Sequence, residues 1–395
     1  MYFGIYLEYT KSMKKLNIVL AGLKFGAAFI PIYINHPDVA TVGIFDPDVP
    51  LVKNIALRYG TVKIYNSFEE VLSDSTVDAV HLISPIPIHV EQTLAVLNTG
   101  KHCACTVPMA LSLDDLNTII KTVKKTGKSY CVMETAVYTT HFFKAKEMLS
   151  KGEFGSIQFL RGAHYQDMEF WPDYWKGLPP MFYGTHAIAP LVMLAKSPIV
   201  RVRGLGSGTM REELHKQYGN PYPIETMQIE FASGLKAEVT RSLFETARDY
   251  TEQFTVYGSK KSFEWQQIEK ELPVIHSLFP PRNGDDGKPL RGLPVTAERV
   301  PTGNYHTLLP EQIQRFTVKA EDYDETNPQL SLDRDASGGH GGSHPHMVHE
   351  FIRSIIENRK SWINEINGAN IVAAGICAHE SAMKGGEIIT IPDFS

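Results

Sequence analysis

The segment GAHYQDMEFWPDYWKGLPPMFYGTHAIAP, residues 162–190, gathers His164, Tyr165, Asp167, Trp171, Tyr174, Trp175, Tyr183 and His186 in one stretch. Flat aromatic faces beside hydrogen-bonding groups suit a polyhydroxylated ring. Aromatics stack on its C–H faces while polar side chains read its hydroxyls. Asp167, Trp171, Tyr174 and Trp175 are therefore the expected substrate contacts. Tyr183 and His186 stand three apart and share a face wherever a helix begins there. A histidine–tyrosine pair can exchange a proton with a hydroxyl, so both are candidate catalytic groups, with His164 or Tyr165 as a further one. Any single aromatic here reads equally well as core; their concentration marks a site.

A second cluster, GGHGGSHPHMVHEF, holds His340, His344, His346 and His349. Their spacing, H-x3-H-x-H-x2-H, matches no metal motif, and no metal is expected. The reading is a glycine-rich loop closing over substrate or cofactor, with His340 and His344 as substrate contacts.

Phosphate chemistry is signalled by AGLKFGAAF, residues 21–29, between an apolar strand-like run and a helix-like stretch. A dinucleotide loop reads G-x-G-x-x-G/A. Here it runs Gly22-Leu23-Lys24-Phe25-Gly26-Ala27, with lysine in place of the second glycine. Lys24 keeps a Cβ near the phosphates and adds a charge that can pair with them. Asp46 closes a β-branched run, VATVGIF, at the ribose-binding position about 20 residues on. A carboxylate there accepts from ribose hydroxyls and repels a 2′-phosphate, which favours NAD over NADP.

These groups need elements to hold them. Short apolar runs at 16–21, 39–45, 61–65, 77–84, 101–105 and 129–133 alternate with helical stretches, including ones opened by Ser67 and Ser112. That alternation predicts an α/β fold, a doubly wound parallel sheet of Rossmann type. After residue 136 the pattern changes to a helix at 141–151 and alternating strands near 157, 199–206, 224–232, 235–244 and 251–258. This predicts an α+β domain with a large, mostly antiparallel, open-faced sheet. Segment 280–342 reads as long surface loops, followed by helices at 345–358 and 366–384. The expected domains are 13–135 for NAD binding and 136–395 for substrate binding and oligomerisation. Residues 1–12 are an extension, and Met13 is an alternative start.

The 395 residues suffice for two domains, and a net charge of −5 argues against nucleic acid. No apolar run reaches the roughly 20 residues of a membrane span, and the N-terminus lacks signal-peptide order. Cys103, Cys105, Cys131 and Cys377 form no disulfide framework and fit a reducing cytoplasm.

Taken with Ser84-Pro85, His89, "GKHCACTVPMALS" and the "GEFG" turn, these residues resemble the Gfo/Idh/MocA family of NAD(P)-dependent sugar oxidoreductases. The resemblance runs from Met13 onward. It implies that Ser84, Pro85, His89, Thr106, Val107, Pro108 and Glu134 line the cofactor, and that the sheet packs in a homo-oligomer, a dimer or tetramer. Two positions depart from it. Most family dehydrogenases carry Glu-Lys-Pro where this chain has Thr106-Val107-Pro108, and many carry aspartate where it has Phe182. The NAD-dependent glycosidases of the α-N-acetylgalactosaminidase type also lack that lysine. They have stretches similar to "VMETAVY", "GAHYQD", "FYGTHAIAP" and "GGHGG". This subgroup implies a redox-neutral hydrolysis of a small carbohydrate through oxidation at C3. A net sugar dehydrogenase and a non-catalytic sugar or nucleotide sensor are the rival expectations.

Overall fold

The computed structural model describes residues 15–265, 267–268, 271–317 and 339–395. The extension at 1–12, Met13 and the part of the expected loop segment at 318–338 lie outside the described residues.

Six parallel strands form the first sheet: β1 Leu16–Ala21, β2 Val39–Phe45, β3 Lys63–Ile64, β4 Ala79–Leu82, β5 His102–Thr106 and β6 Tyr130–Met133. Their order is β3-β2-β1-β4-β5-β6, so the strand order reverses beside β1. In such sheets ligands bind outside the carboxyl ends of the strands at that reversal. The inner strands β1 and β4 and the edge strand β6 are buried at nearly every position, as two-sided cover requires, whereas β3 is exposed. Ser67 and Ser112 accept from the Glu70 and Asp115 amides, the two expected N-caps.

The second sheet has nine strands among the described residues, in the order β14-β13-β12-β11-β7-β10-β9-β8-β15. They are β7 Ile157–Tyr165, β8 Ile199–Ser207, β9 Ile224–Phe231, β10 Lys236–Ser242, β11 Thr251–Gly258, β12 Lys261–Glu264, β13 Val274–Leu278, β14 Val295–Arg299 and β15 Ile389–Thr390. The β7–β10 pair is parallel and every other pair is antiparallel. Sequence pattern missed β12–β14 for a physical reason: β12 buries only Phe263 and β13 has no fully buried residue, so neither leaves a clear alternation. All of β14 is exposed and lacks an apolar face. Part of the segment read as loop is therefore a strand.

Helices Thr185–Ala195 and Glu365–Met383 cover one face of this sheet, and the second of them also packs on the helix Leu113–Thr126 of the first domain. One continuous core links both sheets. A satellite core around Trp175, Leu178, Met210 and Phe244 takes in Ile86 from the first domain. No helix among the described residues is long and apolar enough to cross a membrane.

Candidate active site

Backbone geometry at the carboxyl end of β1 demands a glycine. Gly22 has φ +99°, and a Cβ there would lie 2.4 Å from the Ile83 carbonyl oxygen. The Leu23 amide donates to Asp46 Oδ2 at 2.7 Å, and the Asp48 amide donates to Oδ1 at 2.9 Å. Asp46 thus braces the loop, and each carboxylate oxygen keeps a lone pair for a ribose hydroxyl. Lys24 and Phe25 lie exposed beside this turn, and Gly26 begins a 3₁₀ turn. The tight turn, its exposed cation and its carboxylate fit a dinucleotide, so Gly22–Gly26 and Asp46 are the residues that would hold NAD. Along the same sheet edge, Ser84 Oγ bonds Gln92, and Thr106 Oγ1 donates to the Leu82 carbonyl. His89 spans from Ser84 to Pro108.

A close approach of helix to strand builds the second half of the site. Gly162 on β7 has no Cβ, and one would sit 2.3 Å from the Ala187 carbonyl oxygen. The helix Thr185–Ala195 can therefore lie on the strand, which sets the His186 ring 5.0 Å from the His164 ring. Strand register then aligns three buried polar residues side by side: Arg241 on β10, His164 on β7 and Glu252 on β11.

His186 Nδ1 meets Glu134 Oε1 at 2.5 Å, and Nε2 meets Tyr183 Oη at 3.1 Å. Glu134 comes from the end of β6 and also accepts from the Ala136 amide. Glu252 Oε1 lies 4.0 Å from His186 Nδ1. Burial opposes a charge on His186, but Glu134, Tyr183 and Glu252 outweigh it and hold its proton affinity well above the ordinary imidazole value. His164 shows the reverse. Burial first, then Arg241 and His186, push it well below that value, and neither ring nitrogen has a hydrogen-bond partner. Two neighbouring histidines with opposed shifts are proton-handling groups of different strength, His186 the stronger base and His164 the weaker.

His340 Nδ1 bonds Glu252 Oε1 at 2.8 Å and Tyr250 Oη at 3.0 Å, and its ring stacks over His186 at 5.7 Å. Glu252 also accepts from Tyr250. Burial would raise the Glu252 carboxyl, but His340 and His186 carry it down to about 2. Arg241 is fully buried, and the Glu252 carboxylate acts on it through space. It donates to the carbonyls of Tyr183, His164 and Ser242 and to Gln166.

The remaining sequence candidates divide. Strand alternation turns Tyr165 away from His164, under the Arg248 guanidinium. Trp175 is buried in the satellite core with its ring 4.8 Å from Tyr183, and Trp171 meets it edge-on from a half-exposed position. Tyr174 is tilted against Trp175, and Asp167 is exposed. His344 is buried 4.4 Å from Phe29, beneath the dinucleotide loop rather than beside His186. His346 packs edge-on against Phe143, and His349 bonds His36. Among the described residues no group of three or more His, Cys, Asp or Glu side chains is placed to hold a metal ion. Sequence reasoning missed Tyr250, Glu252 and Arg241.

Comparison with known proteins follows this geometry. Residues 16–134 match the model of the oxidoreductase family with an NAD-binding Rossmann fold, and residues 142–264 match the GFO/IDH/MocA C-terminal domain. The chain belongs to the GFO/IDH/MocA oxidoreductase family. It is therefore a member of an oxidoreductase family with an NAD-binding Rossmann fold, which is the fold and cofactor expected. A glycosyl hydrolase family 109 protein of Phocaeicola vulgatus is 28% identical over 138 residues, 33% of this chain and 29% of that protein. The match thus spans under a third of that relative. Another, from Saccharopolyspora erythraea, is 22% identical over 94% of this chain and 81% of its own. A levoglucosan dehydrogenase in complex with NADH superposes with TM-score 0.75 at 18% identity, over 96% of this chain and all of that one. That likeness shows the fold.

Proposed function

We propose that this family member acts on a sugar or glycoside by hydride transfer at a ring carbon bearing a hydroxyl, C3, and that its net reaction is redox-neutral glycoside hydrolysis. The observation that carries this reading is the pair His186 and His164, 5.0 Å apart with opposed proton affinities. A simple dehydrogenase handles one proton, that of the oxidised hydroxyl. Elimination needs a second group for the C2 proton, and His164 stands on the His186 side of β7.

Bound NAD supplies the hydride acceptor and, at the end, the donor. His186 takes the O3 proton as C3 becomes a ketone, with Glu134 stabilising the imidazolium that forms. Tyr183 orients Nε2 of His186 toward the substrate side. The C3 ketone acidifies the C2 proton, and neutral His164 accepts it. Loss of the C2 proton expels the C1 substituent. Water adds at C1 and its released proton goes to the departed alkoxide, His164 returns its proton to C2, and reduction at C3 with proton return from His186 would complete hydrolysis. Trp171, Tyr174 and Asp167 form the sugar-side rim of this reading. A second copy packing on the open sheet face, and a reducing cytoplasm for the four free thiols, belong to it too.

Incubation with NAD⁺ and a panel of chromogenic α- and β-glycosides tests it, with aglycone and nicotinamide absorbance followed together. Aglycone release without net NADH is the expected result. NADH accumulating over an intact glycoside makes the protein a dehydrogenase.

A further inference from the structure

His89 opens the helix His89–Asn98 and is 1% exposed. Its Nδ1 lies 2.9 Å from the Pro108 carbonyl oxygen and its Nε2 2.8 Å from the Ser84 carbonyl oxygen. Both partners are backbone carbonyls, which can only accept. A neutral imidazole has one N–H and one lone pair, so one of these contacts would set a lone pair against a carbonyl oxygen. With both nitrogens protonated, both contacts are hydrogen bonds, and a buried group that satisfies both carbonyls avoids the cost of leaving one unmade.

We propose that His89 is a standing imidazolium cation that ties the Ser84 and Pro108 loops together and biases that sheet edge toward the reduced cofactor. The inference rests on the NAD-binding reading of these loops and is independent of the glycosidase steps. Ser84 follows Ile83, the residue whose carbonyl a Cβ at position 22 would strike, so the same loop faces the dinucleotide turn. Hydride addition turns a cationic pyridinium ring into a neutral one, so the cofactor gains one net negative charge. A neighbouring cation favours that form.

The titratable side chain facing His89 is the Cys105 thiol on β5, and Glu91, further along its own helix, is exposed. Burial opposes the charge, yet Cys105 and the two carbonyls bring His89 up to about 9.

The test has two readouts. Imidazole ¹⁵N spectra of the wild-type protein at pH 7.5 are assigned against His89→Gln and His186→Gln samples. The expected pattern for His89 is two protonated ring nitrogens; a single neutral tautomer overturns the proposal. Separate titrations of NAD⁺ and NADH onto wild type and His89→Gln then compare affinities. The expected result is a loss for both forms that is at least threefold larger for NADH. Equal losses reduce His89 to a loop support and overturn the bias toward the reduced cofactor. Should His89→Gln fail to fold, the wild-type and His186→Gln spectra decide: a doubly protonated imidazole that survives His186→Gln at pH 7.5 is expected, and its absence overturns the proposal.

Discussion

Glutamine at position 134 keeps the shape of the side chain and removes its charge. In the wild-type protein Glu134 Oε1 holds both the Ala136 amide and His186 Nδ1, the latter at 2.5 Å, while Oε2 has no partner. A glutamine therefore places its oxygen where Oε1 was and its NH₂ at the empty position. The His186 contact survives as a hydrogen bond to a neutral acceptor. Hydrogen bonds to charged groups are worth about 1.5–3 kcal/mol, and neutral ones about 0.5–1.5 kcal/mol. The imidazolium thus loses about 1.4 kcal/mol of stabilisation, equivalent to about one pH unit. Glu252, 4.0 Å from the ring, remains and keeps the loss from being larger. Because His186 acts as a base in its neutral form, the acidic limb of the kcat/KM profile reports its proton affinity. That limb moves to lower pH by about one unit in Glu134→Gln, and the plateau falls because the base is weaker. The profile is measured with any glycoside that gives turnover, and the His186 ¹⁵N titration gives the same shift without substrate. A limb that stays in place, or moves to higher pH, refutes the coupling between these two side chains.

Three further outcomes follow from the geometry. Gly22→Ala forces a Cβ to 2.4 Å from a backbone oxygen at φ +99°, so it costs about 3 kcal/mol or abolishes NAD binding; unchanged urea midpoint and NAD affinity would contradict this. His164→Asn reduces glycoside turnover about 100-fold more than Tyr165→Phe, because only His164 faces His186; equal losses would return Tyr165 to the candidates. Burial brings His36, His81, His344, His346 and His349 down to about 3. The unfolded chain takes up their protons from pH 6.5 downward while the folded chain does not. Each therefore removes about 1.4 kcal/mol of stability per pH unit below 6.5. The melting temperature drops steeply between pH 6.5 and 5, and a flat profile over that range sinks the reading of these histidines as buried and neutral.

Most of the sheet architecture was legible because burial leaves a periodic trace. β4 and β6 are apolar at nearly every position, as two-sided burial requires, and β7 and β8 alternate. The strand at 295–299 left no such trace, since its residues pack against no second layer. Its partner β13 is only partly buried and sits among prolines and glycines that read as loop.

The site was legible where its residues are neighbours in sequence. Tyr183 and His186 are one turn apart, and their hydrogen bond needs only a 3₁₀ turn leading into a helix. Glu252 and Arg241 were not legible in this way, because each reaches the site through strand register with His164. Yet a signal existed. In TEQFTVYG, Glu252 shares a face with Phe254 and Val256, both fully buried. In KAEVTRS, Arg241 shares a face with Ala237 and Val239. A charged residue on the buried face of a strand must be paired, hydrogen-bonded or neutralised. Both are held by polar partners, and the partners are the site itself: His340 and Tyr250 for Glu252, the carbonyls of Tyr183 and His164 for Arg241. A charged residue that breaks the apolar face of a buried strand therefore points to the polar cluster that makes its burial tolerable. In this chain it points to the two histidines on which the chemistry is proposed to turn.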